Sequence, residues 1–261
     1  MAYVGLLLVG LLGLAVGSFL NVVIHRVPRG ESLLRPGSHC PACQAPVKPW
    51  HNVPVVGWLV LRGRCASCGT RISARYPLVE AITAGLFVAV AARFGLSPEL
   101  PAYLYLAAIA VALAAIDLDV HRLPHRIVLP SYGVAALLLV PAAVAGPGWP
   151  AAARGVAAAA LLFAVYFLIS LYPQGMGGGD VALAPLLGLY LGWLGWSSVA
   201  IGAFAGFLLG GVAGTVLLAA RRAQRSTRIP FGPFMLAGAF LAVFAAAPIA
   251  DWYGSLLVVP T

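Results

Sequence analysis

"VAIGAFAGFLLGGVAGTVLLAA", residues 199–220, runs for 22 residues without a charge, an amide or a proline. As a helix rising about 1.5 Å per residue it would reach roughly 33 Å, enough to cross a hydrocarbon core of about 30 Å. The rest of the chain has the same character. Of 261 residues, 62% are hydrophobic and 9% are charged, more apolar surface than a water-soluble core of this size can hide. Working outward, apolar stretches near the spanning length fall at about 2–24, 77–92, 101–117, 127–145, 153–172, 180–195, 197–219 and 231–250. Several are interrupted by Gly or Pro. The expectation is an all-α polytopic membrane protein of about eight transmembrane helices.

Orientation follows from the positive charge, because cytoplasmic loops retain Lys and Arg. Of the 16 such residues, eight lie between the first two spans (Arg26, Arg29, Arg35, Lys48, Arg62, Arg64, Arg71, Arg75). Two more lie in 118–126 (Arg122, Arg126) and four in 220–230 (Arg221, Arg222, Arg225, Arg228); only Arg93 and Arg154 fall in the intervening loops. Eight spans supply the alternation this requires, with both termini outside. The net charge of +9 is therefore a topology signal, and basic residues spread over three loops do not make a nucleic-acid surface. No basic residue precedes the first apolar run, whose charges follow it at His25-Arg26 and Arg29, as in an uncleaved anchor.

Residues 25–76 form the one sizeable polar segment, which contains two Cys-x-x-Cys pairs, Cys40/Cys43 and Cys65/Cys68, separated by 21 residues. Each pair can close a knuckle presenting two thiolates, and two knuckles make a tetrahedral site suited to Zn2+. The competing reading is a pair of disulfides, which a basic, cytoplasmic segment disfavours. His39 and His51 lie nearby and are not needed once four sulfurs are supplied. A closed four-thiolate site has no open position, so its metal would be structural. The expected organisation is a first span at 1–24, a small cytoplasmic zinc-binding domain at 25–76, and a membrane domain at 77–261.

Of seven acidic residues, Asp117, Asp119 and Asp180 sit at the cytoplasmic ends of spans. Asp117 and Asp119 close the third span in "ALAAIDLDVHRLPHRIVLP", and Asp180 opens the sixth after "GMGGG" (175–179). The chain goes out through the fourth span and returns through the fifth, so a carboxylate from each end can meet on one face. Two close carboxylates share a proton, and the pair can activate water with one member and protonate with the other, the chemistry of an aspartyl protease. The other reading of such an aspartate is a helix-end charge at the headgroup level. Gly177, Gly178 and Gly179 can take positive φ and have little bulk, so a substrate strand could lie close to the loop. A transporter would place its carboxylates near the bilayer midplane, and a membrane scaffold presenting a zinc ribbon would leave the aspartates idle.

The segment "GMGGGDVAL" resembles the Gly-x-Gly-Asp motif of membrane aspartyl proteases, and "IDLDVHRLPH" resembles the motif carrying their other aspartate. With "GSFLNVVIHRVPRG" (17–30), the paired cysteines and "RYPLVEAITAGLF" (75–87), the chain resembles the type IV prepilin peptidases, or leader peptidase/N-methyltransferases, over nearly its whole length. That resemblance implies an enzyme of the bacterial inner membrane. It would cut the basic leader from type IV prepilins or type II secretion pseudopilins at the cytoplasmic face and methylate the new N-terminus with S-adenosyl-L-methionine. Matched by position, the catalytic pair is Asp117 and Asp180. Family members commonly read Leu-Pro-Asp where this chain reads Leu123-Pro124-His125, a change outside the catalytic pair. No strand–glycine–helix fingerprint marks a pocket for the methyl donor.

Overall fold

A computed structural model describes residues 2–145, 148–172, 176–221 and 229–257. Arg222, Arg225 and Arg228 of the third basic loop, and Gly175 at the head of the glycine run, lie outside them. Eight long helices stand where the apolar stretches predict them: α1 (Ala2–Arg26), α3 (Arg75–Phe94), α4 (Leu100–Val120), α5 (His125–Ala145), α6 (Trp149–Ser170), α7 (Gly178–Leu194), α8 (Trp196–Ala219) and α9 (Gly232–Leu257). A five-residue α2 (Val56–Val60) lies in the segment between α1 and α3. Among the described residues the only β structure is two isolated bridges.

Seven of the long helices are long and apolar enough to cross a membrane. The exception, α7, has 17 residues and rises only about 26 Å. It packs against α5, α6, α8 and α9, and most of its residues from Val181 to Trp193 are buried. A helix jacketed by protein need not match the thickness of the lipid.

The chain divides into two compact units, Met1–Leu96 with Tyr103–Ala112, and Ser97–Ala102 with Leu113–Thr261. In the first, α1 lies along α3 through Gly13 and Gly17. A Cβ at Gly13 would come 2.7 Å from Ala84 Cα, and one at Gly17 would come 2.7 Å from Glu80 Cα. Small residues four apart let the two backbones close up, the usual way membrane helices gain contact without a hydrophobic driving force. Leu7, Leu8, Leu11 and Leu12 of α1 are exposed, as lipid-facing residues are. The cysteine segment is tied to this helix pair at two points. The buried Arg26 donates to the Ser32 and Pro36 carbonyls at 2.8 and 2.6 Å, and the Val55 N–H donates to Glu80 Oε2 at 2.7 Å.

The second unit repeats the device. A Cβ at Gly188 or Gly192 of α7 would come within 2.7 Å of Ala158 or Ala159 on α6, and one at Gly238 of α9 would lie 2.5 Å from Gly206 N on α8. Two glycines of residues 199–220, Gly202 and Gly206, thus serve the protein's own packing. Arg154, one of the two arginines outside the charge pattern, acts locally. Its Nε and Nη2 donate to the Gly192 and Trp193 carbonyls at 2.6 and 2.8 Å, satisfying the otherwise unpaired end of α7 with a cation, as a helix C-terminus favours.

Candidate active site and metal cluster

Asp117 lies in the last turn of α4 and is buried, at 4% exposure. The helix ends three residues later, at Val120, and His121 beyond it takes left-handed angles (φ 53°, ψ 40°) while its N–H still bonds the Asp117 carbonyl. The carboxylate is held from the far end of the unit: Gly232 donates its N–H to Asp117 Oδ2 at 3.0 Å. Gly232 opens α9, so that N–H is one of the helix-start donors with no partner inside the helix. A side chain there would displace the carboxylate, because a Cβ on Gly232 would sit 2.7 Å from Asp117 Oδ2.

Asp180 is the third residue of α7 and is half-buried. Its Oδ2 accepts the Gly177 N–H at 3.2 Å, the return half of a capping box at the start of the helix. Two residues on, Tyr132 of α5 donates its hydroxyl to the Ala182 carbonyl, fixing the start of α7 against a neighbour. Asp117 and Asp180 lie close enough to feel each other's charge.

Leu123 joins the two halves of the site. A Cβ on Gly179 would meet Leu123 Cβ at 2.9 Å, and one on Gly232 would meet its methyls at 3.1 and 3.2 Å. The buried leucine therefore packs on both segments that carry the aspartates' hydrogen-bond partners. Tyr166 of α6 adds a wall: its ring lies 5.5 Å from that of Phe207 and 6.5 Å from that of Phe231, and its hydroxyl senses the charge of Asp180.

The glycine run works differently from the expectation drawn from sequence. Gly177 has φ −68°, and none of Gly177, Gly178 and Gly179 is among the glycines with positive φ. Gly178 and Gly179 already belong to the first turn of α7, where helical hydrogen bonding sets φ negative. Gly179 is small because Leu123 occupies the space, whereas Gly178 faces nothing within 4 Å. Asp119 is exposed, about 200° around α4 from Asp117, and His125 is exposed at the start of α5. Sequence reasoning missed Gly232, Leu123 and Tyr166. Gly232-Pro233 could have been read as a helix start, but nothing local points it at Asp117.

The four cysteines form a second cluster. Cys40, Cys43, Cys65 and Cys68 present sulfurs that all lie within 4.8 Å of one another, and none of the four is disulfide-bonded. Two nearly identical knuckles build the cluster. In one, Cys40 N–H bonds the Ala45 carbonyl and Gln44 N–H bonds the Cys40 carbonyl; in the other, Cys65 N–H bonds Thr70 and Gly69 N–H bonds Cys65. The fifth residue of each, Gln44 (φ 58°) or Gly69 (φ 72°), takes the left-handed turn. The pairs Cys40–Cys68 and Cys43–Cys65 stand 3.8 and 4.0 Å apart. A tetrahedron with metal–sulfur bonds of about 2.3 Å has edges of about 3.8 Å, so the spacing suits a metal ion. The Thr70 hydroxyl, 3.3 Å from Cys68 Sγ, and the Thr70 N–H hold the Cys68 thiol down at about 6. The Cys68 and Ser67 N–H groups lower Cys65 as well. Among the described residues neither His39 nor His51 joins the cluster.

Two family models match the chain. The bacterial peptidase A24 N-terminal domain covers residues 11–94, and the type IV leader peptidase family covers residues 104–219. Curated relatives named prepilin leader peptidase/N-methyltransferase include one from Neisseria gonorrhoeae, 37% identical over 92% of this chain and 90% of its own length. One from Pseudomonas aeruginosa is 34% identical over 93% of this chain and 91% of its own. One from Myxococcus xanthus is 41% identical over 70% of this chain and 55% of its own. No solved structure matches.

Proposed function

The chain belongs to the type IV leader peptidase family, and from that premise we propose that it is a membrane endopeptidase that removes the leader of type IV prepilins or type II secretion pseudopilins and then N-methylates the product. The observation that carries the reading is the pair of carboxylates, one closing α4 and one opening α7, each held by a backbone N–H and within each other's field.

The chemistry uses one proton and one water. The ionised member of the Asp117/Asp180 pair takes a proton from the water as its oxygen attacks the scissile carbonyl. The protonated member gives its proton to the carbonyl oxygen, and the tetrahedral intermediate collapses as the leaving nitrogen is protonated. Held carboxylates need little rearrangement during these steps, which is where preorganisation lowers the barrier. Gly178, which meets nothing within 4 Å, leaves room beside Asp180 for an extended stretch of substrate.

The cysteines fit Zn2+, and Cys40, Cys43, Cys65 and Cys68 would hold it as a closed structural site. S-adenosyl-L-methionine would supply the methyl group. It carries a sulfonium and an ammonium against one carboxylate, so the open cleft lined by Arg62, Arg64 and Arg71 is a poor match for it; no residue is assigned to that step. The organisation at 1–24, 25–76 and 77–261, a cytoplasm-facing site and external termini are supported by the distribution of Lys and Arg, and the bacterial inner membrane by the family match. Prepilins and the bilayer are the expected partners.

Cleavage of a synthetic prepilin in liposomes, followed by mass spectrometry of the mature N-terminus, tests the reading. Asp117→Ala and Asp180→Ala should each abolish cutting, and wild type should add a methyl mass only with S-adenosyl-L-methionine. A folded alanine variant that cuts at the wild-type rate would remove the dyad from the mechanism.

A further inference from the structure

After α2 the chain doubles back to close the second cysteine knuckle. Arg62 and Gly63 both take left-handed angles (φ 51° and 66°). The chain then runs through Arg64 to Cys65, turns, and returns through Thr70 to Arg71. Arg64 and Arg71 form an isolated antiparallel bridge. The hydrogen bonds on either side of it run from Cys65 N–H to the Thr70 carbonyl at 2.8 Å and from Ile72 N–H to the Gly63 carbonyl at 2.7 Å. That pattern makes the two arginines a non-hydrogen-bonded pair, in which the Cα atoms stand about 4.5 Å apart and both side chains leave the backbone on the same side.

Like charges directly opposite one another destabilise a strand pair, and here the backbone holds two guanidinium groups in that arrangement. Arg62 joins them. All three line one open cleft of about 580 Å³, together with Trp58, Ile72 and Ser73. Among the described residues no carboxylate forms an ion pair with any of the three. Trp58 is a fixed wall: its Nε1–H donates to the Ile72 carbonyl at 3.1 Å, and its ring occupies the space that a Gly63 side chain would need. The Ser73 hydroxyl accepts the Arg75 N–H at 3.2 Å and keeps its own proton to donate. A topology signal requires positive charge somewhere along this segment. It does not require three guanidinium groups on one cleft, two of them directly opposite.

We infer that this cleft binds a phosphate group, held between Arg64 and Arg71 and reached by Arg62 and Ser73. A guanidinium presents paired donors that match phosphate oxygens, and a phosphate has the charge and the oxygens to engage several of them at once. Once bound, it turns repulsion across the bridge into attraction and so tightens the strand pair that closes the Cys65/Cys68 knuckle. A free phosphate and a lipid headgroup offer the same chemistry, and experiment separates them. Such a site is independent of the peptidase reading.

Zinc-loaded full-length protein in a maltoside detergent, which carries no phosphate, supplies the test. Phenylglyoxal modifies exposed arginines, mass spectrometry reads each site, and sodium chloride holds the ionic strength constant. One arm adds inorganic phosphate and the other adds phosphatidylglycerol to the micelles. Modification of Arg64 and Arg71 should fall in at least one arm, while Arg35, exposed in the same segment and outside the cleft, should react as before. Protection by inorganic phosphate assigns a free phosphate, and protection by phosphatidylglycerol alone assigns a headgroup. In the same arm, amide exchange at Cys65 and Ile72 should slow. Arg71→Gln, with zinc content unchanged, should weaken the apparent affinity read at Arg64 by about tenfold, as loss of a charge-assisted hydrogen bond does. Arg62→Gln, outside the knuckle, should weaken it as well, and Arg35→Gln should not. Protection in neither arm overturns the proposal. So does equal protection of Arg35, which would be general screening. Because the readout is arginine reactivity and not cleavage, either result leaves the function of the aspartates to its own test.

Discussion

At Gly232 a single methyl group would act directly on the Asp117 carboxylate. Its N–H holds Asp117 Oδ2 at 3.0 Å, and a Cβ would stand 2.7 Å from the same oxygen, inside the van der Waals limit. Gly232→Ala keeps the donor and displaces the carboxylate. A catalytic group moved by about 1 Å loses on the order of a hundredfold in rate, so kcat for prepilin cleavage should fall by about that factor while KM stays near wild type. An unchanged kcat would show that this hydrogen bond does not position the reacting group. Asp119 makes the contrast: two residues away but on the exposed side of α4, its replacement by Asn should leave kcat close to wild type. The sequence draws these two aspartates as neighbours, and the helical turn between them separates their surroundings.

At the scale of elements, the Cys65/Cys68 knuckle is built to hand over thiolates before any metal arrives. In the other, the neighbouring thiols outweigh the Ala45 N–H and leave the Cys43 thiol raised to about 11. Thr70 holds the Cys68 thiol at about 6 against an ordinary 9.0, and backbone N–H groups lower Cys65. A group whose pKa is depressed in the folded state stabilises that state fully above its unfolded value and loses the contribution as pH falls through the folded one. For Cys68 that window runs from pH 9.0 down to about 6. Zinc binding at pH 7.5 should therefore release fewer than four protons, and the number should rise as pH drops below about 6; calorimetry in buffers of different ionisation enthalpy counts them. A release of four throughout would mean that the Cys65/Cys68 knuckle does not pre-ionise its thiols. Stripping the metal should loosen residues 38–72, since a closed four-thiolate site contributes folding energy outright, and amide exchange of Cys40, Gln44, Cys65 and Gly69 should accelerate together. The knuckles were legible because both ligand and turn are written within six residues.

Across the whole molecule, what could be read in advance was whatever lipid or local geometry dictates. Lipid requires apolar side chains outward, so Leu7, Leu11, Val156 and Phe204 declare their helices by composition alone. It says nothing of which helices pair, and the contact that fixes Asp117 comes from a residue 115 positions away. Pairing is carried by absent side chains, and a glycine in an apolar stretch looks the same whether it faces lipid, a neighbour or a loop. Gly5 and Gly211 meet nothing within 4 Å, whereas Gly192 would put a Cβ 2.6 Å from Ala158 Cβ and 2.8 Å from the Arg154 carbonyl. Gly192→Leu should accordingly force α6 from α7, displace the guanidinium of Arg154 from the carbonyls it caps, and cost at least the 1–3 kcal/mol typical of overpacking. Gly211→Leu, with equal added bulk on α8, should be nearly neutral. Thermal unfolding of both variants in one detergent checks the difference. The Gly192 variant should also lose cleavage, because α7 carries Asp180 at its other end and a helix pushed off its neighbour cannot keep its first turn in place. Equal stability of the two variants would mean that glycine contacts do not set helix pairing here.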